Sequence, residues 1–204
     1  MQLPFLITRN DRIPLRLRKK LGKCLKLPKG KAFSIRIFGQ AYEGSTGIHM
    51  DDKIYLYGIH EAATVRLMRK ILEHQKQAGK TTSYMDIGTN AGMHLVALAD
   101  LTTKAYGFEP WEKVRQKAPH NLAINLADHI TVFPFGLSDA DAALPFCPPA
   151  DNNLGVGHFT DTAEENSITL TVRKGDDVVQ ENEMKPTLMK LDIEGHEKKA
   201  LKGL

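Results

Sequence analysis

An open α/β fold, a parallel sheet wound with helices on both faces, is what this sequence predicts, and three observations predict it. A fully apolar-flanked strand pattern at 83–87 runs through two glycines four apart, Gly88 and Gly92, into an apolar helical pattern over 93–101. Further strand-like runs at 104–108 and 130–135 follow at the spacing of strand–helix–strand units, and a fourth, 186–191, leads into a helix start at Glu197. A chain of 204 residues, 42% hydrophobic and 25% charged, has the size and composition of one globular domain with a sizeable core.

The elements justify themselves in order. Between Arg9 and Lys31 basic residues alternate with leucines, and Leu17, Leu21, Cys24 and Leu25 would share one face of a helix bounded by Pro14 and Pro28. Residues 32–38, with Phe33, Ile35 and Ile37 alternating, and 53–57 both read as strands of a small N-terminal hairpin layer. Gly58-Ile59-His60-Glu61 opens a helix whose Val65, Met68 and Leu72 form one apolar face. Strand one at 83–87, its glycine turn and helix, strand two at 104–108, a helix over 111–126 interrupted by Pro119, and strand three at 130–135 then make one βαβαβ half of the sheet. Residues 140–162, rich in Pro, Asn and Gly, read as a long loop over the carboxyl edge, placed to recognise substrate; 167–172 reads as an extra strand, 178–183 as a helix, and 197–201 as the last.

Carboxylates gather where ligands bind in open sheets, beyond the carboxyl ends of the strands: Asp86 on strand one, Glu109 after strand two, and Asp192 with Glu194 after strand four. The turn is G-x-x-x-G rather than the tighter G-x-G-x-x-G that seats a pyrophosphate on backbone N–H groups. S-adenosylmethionine has no phosphate, carries an ammonium and a sulfonium, and offers a ribose diol that one carboxylate accepts in a fork. On this reading Glu109 takes the ribose hydroxyls and Asp86 the ammonium, directly or through water. Gly88 and Gly92 allow close backbone approach, the Asn90 amide meets the methionine carboxylate, and Asp139 accepts from the adenine amino group.

The segments DIGTNAG, GFEP, Asn121 and Asn125, FGLSD and KLDIEGHEKKALKGL, in this order, resemble the FkbM family of S-adenosylmethionine-dependent methyltransferases from about Asp51 onward. The resemblance implies a Rossmann-like class I methyltransferase sheet and O-methylation of a hydroxyl on a sugar, glycolipid or secondary metabolite. It also implies a place for Glu61 near the cofactor, beside the simpler reading of a carboxylate favoured by a helix dipole. Asp192 is the expected base for the attacking hydroxyl, with His158 in reserve. Such folds continue for about three more strands, so the sheet is expected to be cut short after strand four, leaving that strand as an edge open to self-association. The expected organisation is a basic arm and strand extension over 1–50 and an incomplete methyltransferase domain over 51–204.

Charge divides the same way. Residues 1–31 hold ten Lys and Arg against Asp11 alone, a net +9, while the rest carries 18 bases and 23 acids, a net −5. The basic arm suits an anionic membrane surface, beside the simpler reading of a solvated arm whose leucines pack on the domain; without aromatic stacking residues it is a poor footprint for nucleic acid. No apolar run has spanning length, the 3–7 cluster being too short, and a cytoplasmic protein is expected. Cys24 and Cys147 have no metal-ligand spacing, so no structural metal is expected, Mg²⁺ on Asp192 and substrate being the one metal role left open. Two other readings stand beside the methyltransferase. One is a catalytically inactive remnant that binds cofactor or a partner. The other is an NAD-dependent oxidoreductase, against which the glycine spacing and the D-I-E-G segment argue.

Overall fold

The computed structural model describes residues 8–9, 13–149 and 156–204. The 3–7 cluster and the middle of the expected loop, 150–155, lie outside the described residues. The first helix, α1, is Leu15–Cys24, entered from Pro14. Strands β1 (Ala32–Ile37) and β2 (Gln40–Ser45) form an antiparallel hairpin with Ile37 opposite Gln40. Its two turn residues, Phe38 and Gly39, both have positive φ, the geometry whose twist suits a two-residue hairpin.

Residues 53–57, expected as a strand, are instead the second half of helix α2, His49–Tyr57. Asp51 and Asp52 lie in its first turn, and Gly58 closes it in the left-handed region with its N–H on the Ile54 carbonyl. Those end signals outweigh the Ile-Tyr-Leu-Tyr run, whose Ile54 and Leu56 are buried as helix residues. Helix α3 (Ala62–Gln77) follows, burying Val65, Met68 and Leu72 as its spacing requires.

The main sheet is wholly parallel, in the order β10-β3-β4-β5, with β3 Ser83–Ile87, β4 Lys104–Phe108, β5 Ile130–Phe133 and β10 Leu188–Leu191. Every residue of β3 is buried, and its alternation divides the core. Tyr84 points to the cluster with α3 and α4 (Met93–Leu98), which a 3₁₀ turn extends through Leu101. Met85 and Ile87 point to the opposite cluster, with Phe108 and Leu137. This is an open Rossmann-like sheet. Among the described residues, β10 has β3 on one side and no strand on the other.

The expected helix over 111–126 is two short ones, α5 (Glu112–Arg115) and α6 (Lys117–Ala123). The chain resets at Gln116, which leaves Pro119 in the first turn of α6, where a missing N–H leaves no bond unmade. Asn121 and Asn125 explain themselves here. The Asn121 amide accepts from the Glu43 N–H (2.7 Å) and donates to the Glu43 carbonyl (3.1 Å), and Asn125 does the same with Ala41 at 2.8 Å each. Two side-chain amides thus satisfy the free edge of β2 as a neighbouring strand would, and fasten the hairpin to the body.

Beyond β5 a second sheet forms in the order β6-β9-β7-β8: β6 Gly136–Ser138, β7 Ala142–Cys147, β8 His158–Phe159 and β9 Ile168–Lys174. Residues 142–147, expected as loop, are therefore a strand; Pro145 still serves the ladder, its carbonyl accepting from the Thr160 N–H at 3.0 Å. Helices α7 (Gly175–Glu181) and α8 (Glu197–Lys202) complete the layer.

Candidate active site

Two adjoining cavities open at the carboxyl ends of β3, β4 and β10, and the glycine turn separates their floors. The smaller, about 80 Å³, is a slot between apolar walls from Ile87, Phe108, Trp111, Leu137, Phe146 and Phe159. Trp111 and Phe146 pack with ring centroids 5.5 Å apart, and Phe146 meets Phe159 edge to face. The second sheet therefore walls this slot, although the 140–162 segment was expected over the acceptor. Glu109 is the buried carboxylate of the slot, only 9% exposed, alongside the exposed Asp192 and Glu194. Its Oε2 accepts from the Asn90 N–H (3.1 Å) and its Oε1 from the Trp111 N–H (3.0 Å), which leaves each oxygen a second lone pair. Burial nevertheless pushes its pKa up to about 7.

The larger cavity, about 320 Å³, is polar. Asn90, Asp192 and Glu194 line both cavities and mark the junction. Asn90 holds a positive φ by accepting from the Ala91 N–H at 2.8 Å, so its amide N–H groups remain available as donors. Asp192 is half exposed and lies 3.3 Å from the Lys190 ammonium. Burial works against the charge of Lys190, yet Asp86 and Asp192 raise its pKa above the ordinary lysine range. Burial also raises the pKa of Glu194.

Several residues singled out in the sequence stand elsewhere. Asp86 is fully buried and lines neither cavity; its Oδ2 accepts from Thr89 Oγ1 (2.9 Å) and its Oδ1 lies 3.7 Å from Lys190. It braces the turn and Lys190 from below. Gly88 does line both cavities, but its missing Cβ makes room for protein: a Cβ there would collide with the Asp192 carbonyl oxygen. Gly92 lines neither, and a Cβ on it would sit 2.8 Å from that of Ala118 on α6. Asp139, expected to meet the adenine amino group, lies outside both cavities and is paired with Lys202 at 3.0 Å. His158 is exposed on β8 and lines neither cavity, with Phe159 turned inward instead.

Glu61, which the resemblance placed near the cofactor, lines the larger cavity, and beside it stand residues that sequence reading passed over. Glu61 adopts a left-handed backbone as the cap before α3, and its Oε2 lies 3.3 Å from Nε2 of buried His94; both line the larger cavity. The His94 ring beside it holds the Glu61 carboxyl down at about 2. His94 follows Gly92 by two, so its place at the start of a helix aimed at the site was the available signal. His196, buried against Phe159 (centroids 4.9 Å apart), bonds Ser138 Oγ through Nε2 at 3.0 Å and walls the smaller slot. Asp51 is the buried anchor behind the larger cavity. It accepts from Tyr42 Oη (3.0 Å), the Ser45 N–H (2.9 Å) and Lys117 Nζ (2.6 Å), tying α2 to the hairpin and α6.

Chemically, a flat apolar slot with one carboxylate at its floor suits a nucleoside with a diol, and the polar chamber beside it suits a cation and a hydroxylated acceptor. Comparison with known proteins agrees with that chemistry. Residues 86–204 match the model of the methyltransferase FkbM domain. The chain is 28% identical over 143 residues to hexuronic acid methyltransferase AglP of Haloferax volcanii, an alignment covering 68% of this chain and 55% of AglP. It thus spans about half the length of that relative. Among solved structures, it resembles methyltransferase FkbM from Methylobacillus flagellatus (26% identity, TM-score 0.43, 60% of this chain and 28% of that one). It also resembles an S-adenosylmethionine-dependent methyltransferase from Agrobacterium tumefaciens (11% identity, TM-score 0.41, 53% and 34%).

Proposed function

The chain belongs to the FkbM methyltransferase family, and on that premise we propose that it binds S-adenosylmethionine across the two cavities and directs methyl transfer to a hydroxyl of a sugar-like acceptor. One observation carries the reading: buried Glu109 at the floor of the aromatic slot, where the carboxyl ends of β3 and β4 meet. The residues present fit the cofactor. The slot takes a purine nucleoside, the spare lone pairs of Glu109 take its ribose hydroxyls, and the Asn90 amide takes the methionine carboxylate. Glu61, Asp192 and Glu194 surround the junction with the negative charge a sulfonium and an ammonium need. When bound, the cofactor supplies a methyl carbon made electrophilic by its sulfonium.

The protein's own part is positioning and proton management. Asp192, held beside Lys190 at the junction, accepts the hydrogen bond of the acceptor hydroxyl and takes its proton as the oxygen attacks. The acceptor class rests on the polar larger cavity together with the sugar-acid methyltransferase among the relatives. The family match also favours the methyl donor over the nicotinamide reading.

Isothermal titration with S-adenosylhomocysteine tests this, with NAD and a Glu109→Ala variant as controls. Saturable binding that is lost in the variant, with no response to NAD, supports the assignment and opens a screen of methyl glycosides as acceptors. A folded chain that does not bind S-adenosylhomocysteine would overturn it.

A further inference from the structure

Helix α1 is amphipathic, yet it docks on the body with its apolar stripe outward. Among the described side chains of the helix, Arg18 and Gly22 are the buried positions, with Gly22 pressed against the Tyr57 ring of α2. Leu17 and Leu21 are 49% and 37% exposed, and Cys24 is exposed beside them. Residues 17, 21 and 24 lie at i, i+4 and i+7, so they form a single stripe along the helix. A helix recruited only to complete the core would turn its leucines inward; this one leaves them for something else to cover.

The charges around the stripe say what that is. Arg16 and Lys20 flank it on the same exposed side, and Lys26 and Lys29 continue the exposed basic run past the helix end. Among the described residues none of these four is paired with a carboxylate. The 1–31 segment as a whole is +9 against −5 for the remainder, so positive charge is concentrated in this part of the chain. We propose that α1 is a membrane-docking surface: Leu17, Leu21 and Cys24 enter the headgroup region of an anionic bilayer while Arg16, Lys20, Lys26 and Lys29 lie against its phosphates. Basic amphipathic helices take this pose because apolar insertion and attraction to anionic lipid act together. An RNA partner would use the charges and waste the leucines, and the face has no aromatic ring for base stacking. The inference does not depend on the methyl-transfer reading.

Vesicle sedimentation of the full chain tests it, using phosphatidylcholine vesicles with and without phosphatidylserine at low and high salt. Binding is expected only to the phosphatidylserine vesicles and is expected to weaken at high salt. Neutralising Arg16→Gln or Lys20→Gln costs roughly fivefold in partitioning for each charge removed. The pair Leu17→Ser and Leu21→Ser lowers it by about tenfold or more, because their exposed area no longer gains from burial. Both leucines are already exposed, so thermal unfolding should match the parent chain; if the helix itself is lost, Lys26→Gln with Lys29→Gln tests the same surface from outside it. Equal binding to both vesicle types, no binding to either, or binding to an RNA oligonucleotide that survives the leucine pair would overturn the proposal.

Discussion

Stability and ligand binding pull in opposite directions at Glu109, and Glu109→Gln separates them. Burial raises its pKa from 4.5 to about 7, so the folded protein holds this proton more tightly than the unfolded chain does. The sign follows: the stabilisation is complete below the unfolded pKa of 4.5 and is lost as pH rises through about 7. A shift of that size corresponds to roughly 3 kcal/mol between acidic and mildly alkaline solution. Gln does not titrate, so it escapes this loss. It has only one oxygen for two N–H donors, however, those of Asn90 and Trp111, and the unmatched contact costs about 1–3 kcal/mol. Urea unfolding across the pH range should show Glu109→Gln less stable than the parent in acid, with the gap closing or reversing in alkali. His60 and His196, whose pKa values burial lowers, titrate in the same window in both proteins, so the difference between the two isolates position 109. A difference that does not change with pH would refute the argument. The affinity for S-adenosylhomocysteine should fall in the variant above about pH 7, where the parent carboxylate offers the full ribose fork, and the deficit should narrow in acid, where the parent is itself protonated.

Gly88→Ala should cost roughly 3 kcal/mol or more in urea unfolding and abolish S-adenosylhomocysteine binding, because its φ is 87° and the added Cβ meets the Asp192 carbonyl. Asp51→Ala strands Lys117 and two hydrogen-bond donors behind the larger cavity, an expected loss of about 3–5 kcal/mol; adding Lys117→Met should recover part of it. Asp139→Ala should leave S-adenosylhomocysteine affinity unchanged in calorimetry, since this carboxylate engages Lys202 outside both cavities. A clear loss of affinity would return it to the binding site.

Much of the fold is local and was legible in the chain. The alternation in 83–87, the glycine turn and the apolar stripe of Val65, Met68 and Leu72 each declare an element within a few residues, because strand and helix periods are properties of the backbone. Where the local signals conflict, as between the β-branched and aromatic run at 53–57 and the helix-ending Gly58, the reading failed. The burial of Ile54 and Leu56 on one helix decided it.

The sequence by itself determined the sheet's four parallel strands, the glycine turn, and the presence of carboxylates beyond the strand ends. Only the tertiary structure decided which of those carboxylates face a ligand. Asp86, Asp139 and Glu109 look alike in the chain. Strand register and the packing of neighbours turn the first beneath Thr89 and Lys190, the second outward to Lys202, and the third into an aromatic slot built from segments distant in sequence. The same holds for Glu61 and His94, which lie on successive helices and become a pair only when α3 and α4 pack on the same side of the sheet. A side chain's chemistry is set by its covalent structure, but its direction, its desolvation and its partners are set by what the rest of the chain places around it.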